Sequence, residues 1–547
     1  MINLKKIKNN IDIWFILSTI LSIIILLPNL NILLNLFQKA SDNWMHIKEY
    51  LLKSYFLNTS IIIIFTGLFS GIIGLVSAWL VTAYEFPLRK FFSWGLMLPL
   101  AIPAYIGAFT YDGLLNYTGV IQTFLRNNLN IGINNNLFHI RNIWGAIFIF
   151  TIFLYPYVYI ISKSYLSKFS NSIVENAKLL GKNNIEIFAQ IIVPMSRVSL
   201  VAGTSLVIME VLNDYGVVKY FGISTFSTAI FKTWFGMGDT ISAIRLSAIL
   251  MALVFGILFL EKVLRGNKKY SSTTTTFKSI KKQELKGKKG FLATSFLCII
   301  FSLGFIIPTL QLIHWAFLTY KKILDKDFIK MAFSSISVGI ISSVFIVIIA
   351  LIIGNFTRLS HLKIKKLYSR VTTLGYSIPG AVIAIGVITL FIKLDRFLKP
   401  VYDKIPYISG TLLFSTSIIM LIFAYIIRFL AIGYNSIESS FEKVGNKYTN
   451  ASRILGHNTI YTFIKVDIPM IKQGILSGLL LVFIEVIKEL PLSLILRPFN
   501  FNTLATKAYE YANDEMIHEA SIASLFIVLI SVISLIIIQN LFKRRKS

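Results

Sequence analysis

Two stretches, ENAKLLGKNNIEIFAQIIVP (175–194) and NASRILGHNTIYTFIKVDIP (450–469), share one layout. In each, a glycine precedes the closing proline by thirteen residues: Gly181 to Pro194 and Gly456 to Pro469. Both are polar islands in a chain that is 55% apolar, with a mean hydropathy of +0.72. Each reads as two short helices around a glycine, which permits a sharp turn. The proline then opens the apolar run that follows, where its missing N–H costs little. After Gly181, the apolar Ile185, Ile187, Phe188, Ile191 and Ile192 are interleaved with Lys182, Asn184 and Glu186. Those apolar side chains need a surface to bury against, either the chain's own helices or a soluble partner.

Around these islands the chain is a series of apolar runs, each long enough to cross a ~30 Å hydrocarbon core as a helix of about 20 residues. The runs fall at 12–35, 57–82, 92–111, 142–162, 198–218 and 243–264, and again at 291–313, 333–355, 372–393, 411–431, 473–496 and 520–541. The expected fold is an all-α polytopic membrane protein of about 12 transmembrane helices. A β-barrel would show short alternating segments instead. The N-terminal apolar run continues past Leu27 with no small-residue cleavage site, so it reads as a retained span. The formal net charge of +29 does not point to nucleic acid, because the basic residues sit in short loops between apolar runs, where they set orientation. The lone cysteine, Cys298, makes no intrachain disulfide and no zinc site.

The chain divides into a first half at 1–264, a basic Ser/Thr-rich linker at 265–290 and a second half at 291–547. The halves repeat. The pairs Gly181/Gly456, Pro194/Pro469 and Glu210/Glu485 are each 275 apart, Pro103/Pro379 are 276 apart, and STFSTAIF (224–231) resembles NTLATKAY (502–509). With six spans per half, both halves face the same way, as a parallel repeat. Lys5, Lys6, Lys8, Arg89, Lys90, the linker, the Arg358–Arg370 loop and the terminal KRRK (543–546) all fall on one side, which should be the cytoplasm. Lys321, Lys322, Lys326 and Lys330 fall on the other side, against that trend. Both termini and both polar islands are thereby expected in the cytoplasm.

Ionisable residues inside a span are expensive and mark an interior or watery path. The eleventh run carries Glu485, Lys488 and Glu489 within one helical turn, so Lys488 can pair with either carboxylate. The fifth run has Glu210 and Asp214, with Asn213 where Lys488 stands. These five residues read either as a structural ion-pair cluster or as the lining of a translocation path. Pro491 is expected to interrupt the eleventh span, and Pro103 and Pro379 to break the third and ninth. No phosphate-cradling GxxxxGK[ST] loop and no HExxH occur, and the metal-ligand set, if any, is unknown. His518 beside Glu519 reads as a solvated outer pair.

The repeated islands resemble the EAA loop of ABC importer permeases. Glu175, Ala177, Gly181, Ile191 and Pro194 match in the first copy, and Ala451, Gly456 and Pro469 in the second, with Val466 in place of Ile. The second copy has Asn450 where the Glu would stand. The stretches LPLAIPAY, LYPYVYI, EVLNDYG, TFSTAIFKTWF and EVIKELPLSLILRPFNFNTLATKAYEYANDE are similar to the fused two-half permeases for ferric iron, over nearly the whole chain outside the linker. The resemblance implies a type I importer fold of two parallel six-helix repeats in a bacterial inner membrane. It implies a transport subunit rather than an enzyme, with no cofactor of its own and ATP used by a partner. Its partners would be two copies of an ABC ATPase, one for each loop, an extracytoplasmic substrate-binding protein and membrane lipid, with no nucleic acid. Thiamine or another small solute is the alternative cargo. A secondary transporter with two parallel halves is a more distant alternative, because the basic loop between spans two and three is only YEFPLRKFF (84–92).

Overall fold

The computed structural model describes residues 12–36, 38–130, 138–167, 171–265, 282–360, 364–404 and 412–543. The basic N-terminal lysines, linker residues 266–281 and most of the KRRK tail lie outside the described residues. The protein is an all-α polytopic membrane protein. Eight helices are long and apolar enough to span on their own: Ile13–Asn35, Asp42–Ala83, Ile143–Leu166, Thr240–Arg265, Gly287–Ile323, Lys326–Leu359, Ile418–Val444 and Ile517–Leu541. Four more spans are pairs of helices bent at a short break, which brings the number to twelve when each pair counts once.

The bends are symmetric. Arg89–Ala101 meets Ala104–Leu129 at 90°, and its counterpart Lys365–Ser377 meets Gly380–Tyr402 at 107°. Asn184–Met195 meets Arg197–Asn213 at 70°, and Thr459–Met470 meets Lys472–Lys488 at 75°. Pro103 and Pro379 sit at the first pair of breaks with matching backbones (φ −56°, ψ 142° and φ −55°, ψ 141°) and cap the helices that follow. Proline disfavours a helical conformation at the residue before it, and Ile102 and Ile378 are extended.

Several spans differ from the expectation in extent. The second begins at Asp42 rather than 57, the seventh runs to Ile323 rather than 313, and the eighth covers Lys326–Leu359 rather than 333–355. The tenth begins at Ile418 rather than 411 and runs on to Val444 through the polar NSIESSFEK. The fifth and eleventh end as helices at Asn213 and Lys488, short of 218 and 496. The end of the linker is also structured: Gln283–Glu284 forms a short parallel pairing with Tyr84–Glu85, and the seventh span already starts at Gly287.

The first span of each half crosses to the other half. Ile13–Asn35 lies against spans eight and nine, where Asn31 and Asn35 accept hydrogen bonds from Lys393 Nζ (2.8 and 3.1 Å). Gly287–Ile323 lies against Ala104–Leu115 and the last span. This exchange binds the halves into one body whose largest apolar core runs through both. Small residues permit the closest approaches: a Cβ on Gly74 would fall 2.6 Å from Val158.

Candidate functional site

The two polar islands fold alike. Helix Asn171–Leu179 ends in a turn at Gly181 (φ 78°), and helix Lys447–Ile454 ends at Gly456 (φ 87°). Left-handed backbone of this kind favours glycine. Asn183 then caps the next helix from both Ile185 N and Glu186 N, and Glu186 returns the bond to Asn183 N, forming a capping box. Asn458 caps its helix through Tyr461 N (2.7 Å). Each helix widens into a π-turn, Phe188–Ile192 or Phe463–Asp467, before Pro194 or Pro469. The π-turn moves aside a carbonyl that the proline ring would strike and the missing N–H could not bind. The prolines do not open the next span. The bend comes two residues later, at Ser196 and Ile471.

Burial divides the predicted loop residues. Ala177, Ile187 and Ile192 face inward onto a cluster with Trp79, Tyr84 and Leu166, while Ile191 and Val466 are half-buried. Glu175, Pro194 and Pro469 are exposed. Ala451 is exposed too. The residue that stands where Ala177 stands is Ser452, buried and hydrogen-bonded to Thr462 Oγ1 at 2.9 Å. The second loop is held by a device the sequence reading did not find. Buried Asp467 takes Arg358 Nη2 at 2.8 Å and Thr449 Oγ1 at 2.6 Å, and the Arg358 guanidinium covers Phe441. Trp14 of the first span packs edge-on against Phe463 (4.6 Å), so the first half also braces the second loop.

Around each glycine stands a set of outward-facing apolar side chains. Leu179, Leu180 and Ile185 are 85%, 81% and 80% exposed. Their counterparts 275 positions on, Ile454, Leu455 and Ile460, are 85%, 77% and 45% exposed. Paired apolar patches at one end of a duplicated fold are what a duplicated soluble partner would cover. The sequence pattern singled out the turn and Ile185; the other outward residues gave no signal beyond being apolar next to a turn.

Within the membrane, Asp214 and Glu489 end the fifth and eleventh spans in equivalent extended conformations (φ −70°, ψ 133° and φ −70°, ψ 123°). Each carboxylate then caps the short helix beyond. Asp214 Oδ1 accepts from Val217 N (2.8 Å) and Glu489 Oε1 from Leu492 N (3.3 Å). The expectation that Pro491 interrupts the span is therefore corrected. The break precedes it at Glu489, occurs equally in the first half where Gly216 stands, and leaves Pro491 in the first turn of the next helix, where its lost donor is harmless.

Glu210 and Glu485, one turn earlier, take different partners. Lys488 Nζ lies 2.8 Å from Glu485 and has no contact within 4 Å with Glu489. Glu210 Oε1 accepts from the Tyr376 hydroxyl at 2.7 Å. Tyr376 belongs to the break of the ninth span, which buried Arg428 holds by donating to the carbonyls of Tyr376 and Ile378. Asn213 Oδ1 accepts from Gly380 N at 2.5 Å on the far side of the same break. A Cβ on Gly380 would come within 2.9 Å of Glu489 Oε1, so a side chain there would push that carboxylate aside. A cavity of about 80 Å³ lies between the halves, lined among others by Pro103, Tyr157, Glu210, Asp214, Glu485, Lys488 and Glu489. All five predicted path residues thus meet at one cavity, together with the broken span at Pro103; Pro379 stands beside it through Gly380. Arg428 was missed, although a charged residue within the tenth apolar run is itself a signal. Among the described residues, no three His, Cys, Asp or Glu side chains converge as a metal cage. Glu519 pairs with Lys322 at 3.0 Å rather than standing with His518 alone.

The family model described as "Binding-protein-dependent transport system inner membrane component" matches residues 70–261 and, a second time, residues 346–547. The chain is 26% identical over 489 residues to the Fe(3+)-transport system permease protein FbpB 2 of Haemophilus influenzae, covering 88% of this chain and 89% of that one. FbpB 1 of the same organism is 24% identical over 523 residues (88% of this chain, 78% of that one). The sulfate transport system permease protein CysT of Escherichia coli is 26% identical over 155 residues, 28% of this chain and 53% of that one. With the family's domain present twice across the broken, carboxylate-bearing spans, the chain belongs to the binding-protein-dependent transport inner membrane components, as a fused two-half, multi-pass inner-membrane permease of an ABC importer.

Proposed function

We propose that this permease carries ferric iron, delivered by an extracytoplasmic binding protein and driven by two ATPase subunits that seat on loops 175–194 and 450–469. The likeness to FbpB 2 extends over 88% of the chain, both halves included, whereas the likeness to the sulfate permease CysT covers 28%. The cavity chemistry supports the same reading and is the observation that carries it. Four carboxyls, Glu210, Asp214, Glu485 and Glu489, line a small cavity against one ammonium, Lys488. A surplus of acidic oxygens suits a hard cation and repels a sulfate dianion. Each carboxyl already has a protein partner, so a passing ion meets weak and replaceable contacts rather than a trap. The chain itself supplies no catalysis and no cofactor; ATP is used by the partner. Both termini and the linker lie in the cytoplasm in this reading, on the side of the two loops.

The test is uptake into vesicles that hold the permease, its ATPase and its binding protein, with labelled ferric iron, thiamine and sulfate as separate cargoes. ATP-dependent iron uptake alone is expected. Thiamine or sulfate uptake without iron would refute the cargo, and cysteine labelling of the linker from outside intact cells, in a chain lacking Cys298, would refute the orientation.

A further inference from the structure

The loop ends of the two halves are not alike, and the second holds a cationic cavity. Between helices Lys326–Leu359, Lys365–Ser377 and Ile418–Val444 lies a cavity of about 550 Å³, lined by Arg358, Lys365, Lys366 and Arg370 against Glu438 and Glu442. Glu438 is occupied by the Tyr434 hydroxyl (2.9 Å). Among the described residues, Lys365, Lys366 and Arg370 have no carboxylate within 4 Å. Arg358 is buried, and its Nε has no hydrogen-bond partner there. Helix Lys365–Ser377 opens on this cavity with Ile364 at its cap, which offers no side-chain acceptor.

The first half answers the same positions internally. Arg89, where Lys365 stands, pairs with Glu85 at 2.9 Å. Lys163, where Glu438 stands, donates to Ser93 O and to Ser93 Oγ (2.8 Å). The strand Gln283–Glu284 from the linker lies alongside. Among the described residues, the second half shows none of these three devices.

We propose that the cavity of the second half binds a phosphate group, which supplies the charge that Glu85 supplies in the first. Three cations without a carboxylate partner among the described residues, and a guanidinium whose side chain is only 9% exposed, form a donor set that phosphate takes. Exposed Leu367, between Lys366 and Arg370 on the same helix, favours a phosphate carried by an anionic lipid, whose acyl chains would lie along that face. Free phosphate offers the same chemistry. Because Arg358 also holds Asp467, occupancy would steady the second loop and not the first.

The experiment uses the full-length permease purified in detergent, with phosphatidylglycerol retention read by native mass spectrometry and inorganic phosphate titrated in a separate thermal-unfolding series. The variants are Lys365→Gln/Lys366→Gln/Arg370→Gln and, as a charge-keeping control that should fold alike, Lys365→Arg/Lys366→Arg. Retention of phosphatidylglycerol is expected to fall about tenfold in the Gln variant and to persist in the Arg variant. Stabilisation of wild type by inorganic phosphate, absent in the Gln variant, would support the site with free phosphate as its source. Equal lipid retention and equal phosphate response in wild type and the Gln variant would overturn the proposal.

Discussion

Asp214 and Glu489, 275 positions apart, each end a membrane-spanning helix and cap the N-terminus of the next, through Val217 N at 2.8 Å and Leu492 N at 3.3 Å. A buried break in a membrane helix must satisfy the groups it frees, and a carboxylate at the break does so. Asp214→Ala and Glu489→Ala should each lose about 1 kcal/mol of stability, while Asp214→Asn and Glu489→Gln, which keep an acceptor, should lose less. Thermal unfolding in detergent separates them. Equal losses in the Ala and amide variants would show that charge, not capping, holds the break.

The ion pair is the one helix spacing allows. Glu485 lies three residues before Lys488, on the same face, whereas Glu489 is its immediate neighbour and turns away to its own helix. Lys488→Met alone should cost about 3 kcal/mol by leaving Glu485 without a counter-charge in the membrane. Lys488→Met with Glu485→Gln should recover most of it, and Lys488→Met with Glu489→Gln should not. The yield of monodisperse protein checks this; a better rescue by the Glu489 change would point to the other pairing.

Gly181 and Gly456 turn the loops in open space, with nothing within 4 Å of where a Cβ would be. The constraint is backbone, not bulk. Gly181→Asn and Gly456→Asn should therefore function nearly normally, since Asn tolerates left-handed backbone, whereas Gly181→Val and Gly456→Val should strain the turn by about 1–2 kcal/mol and uncouple transport. ATP-dependent uptake is the readout, and Asn variants as defective as Val would mean that the glycines matter for close contact with a partner.

The second loop depends on one buried ion pair that the first does without. Asp467→Asn weakens its bond to Arg358, and Arg358→Met removes it altogether. Each should increase hydrogen exchange across 449–470 while leaving 174–195 unchanged. Equal protection of both loops in either variant would remove the asymmetry.

Much of this architecture was legible in the sequence, for physical reasons. A span of apolar residues can be little else, and a glycine and proline at fixed spacing constrain backbone whatever surrounds them. The repeats at 275 and 276 located both loops and all five ionisable residues of the cavity. Tertiary choices were not legible. Spacing could not show that Ala451 would face out while Ser452 faced in, although it did separate Glu485, three residues before Lys488, from Glu489 beside it. Pro491 marked the break of the eleventh span, and the equivalent break at Asp214 carried no signal, because proline is a visible breaker whereas a capping carboxylate reads as a charge. Arg428 was hidden by its distance in sequence from Tyr376, whose carbonyl it holds.

The central claim is that the outward apolar residues of both loops transmit ATP hydrolysis to the broken spans. It is tested most directly by ATPase activity of the assembled transporter in lipid, with loaded binding protein, comparing wild type with Leu179→Ser/Leu180→Ser and with Ile454→Ser/Leu455→Ser. These side chains are 77–85% exposed, so the permease should fold as before. The account predicts that either pair alone weakens ATPase capture by about tenfold or more and abolishes cargo-stimulated hydrolysis, since each removes two apolar anchors from an interface. Normal capture and normal stimulated hydrolysis in both variants would contradict it.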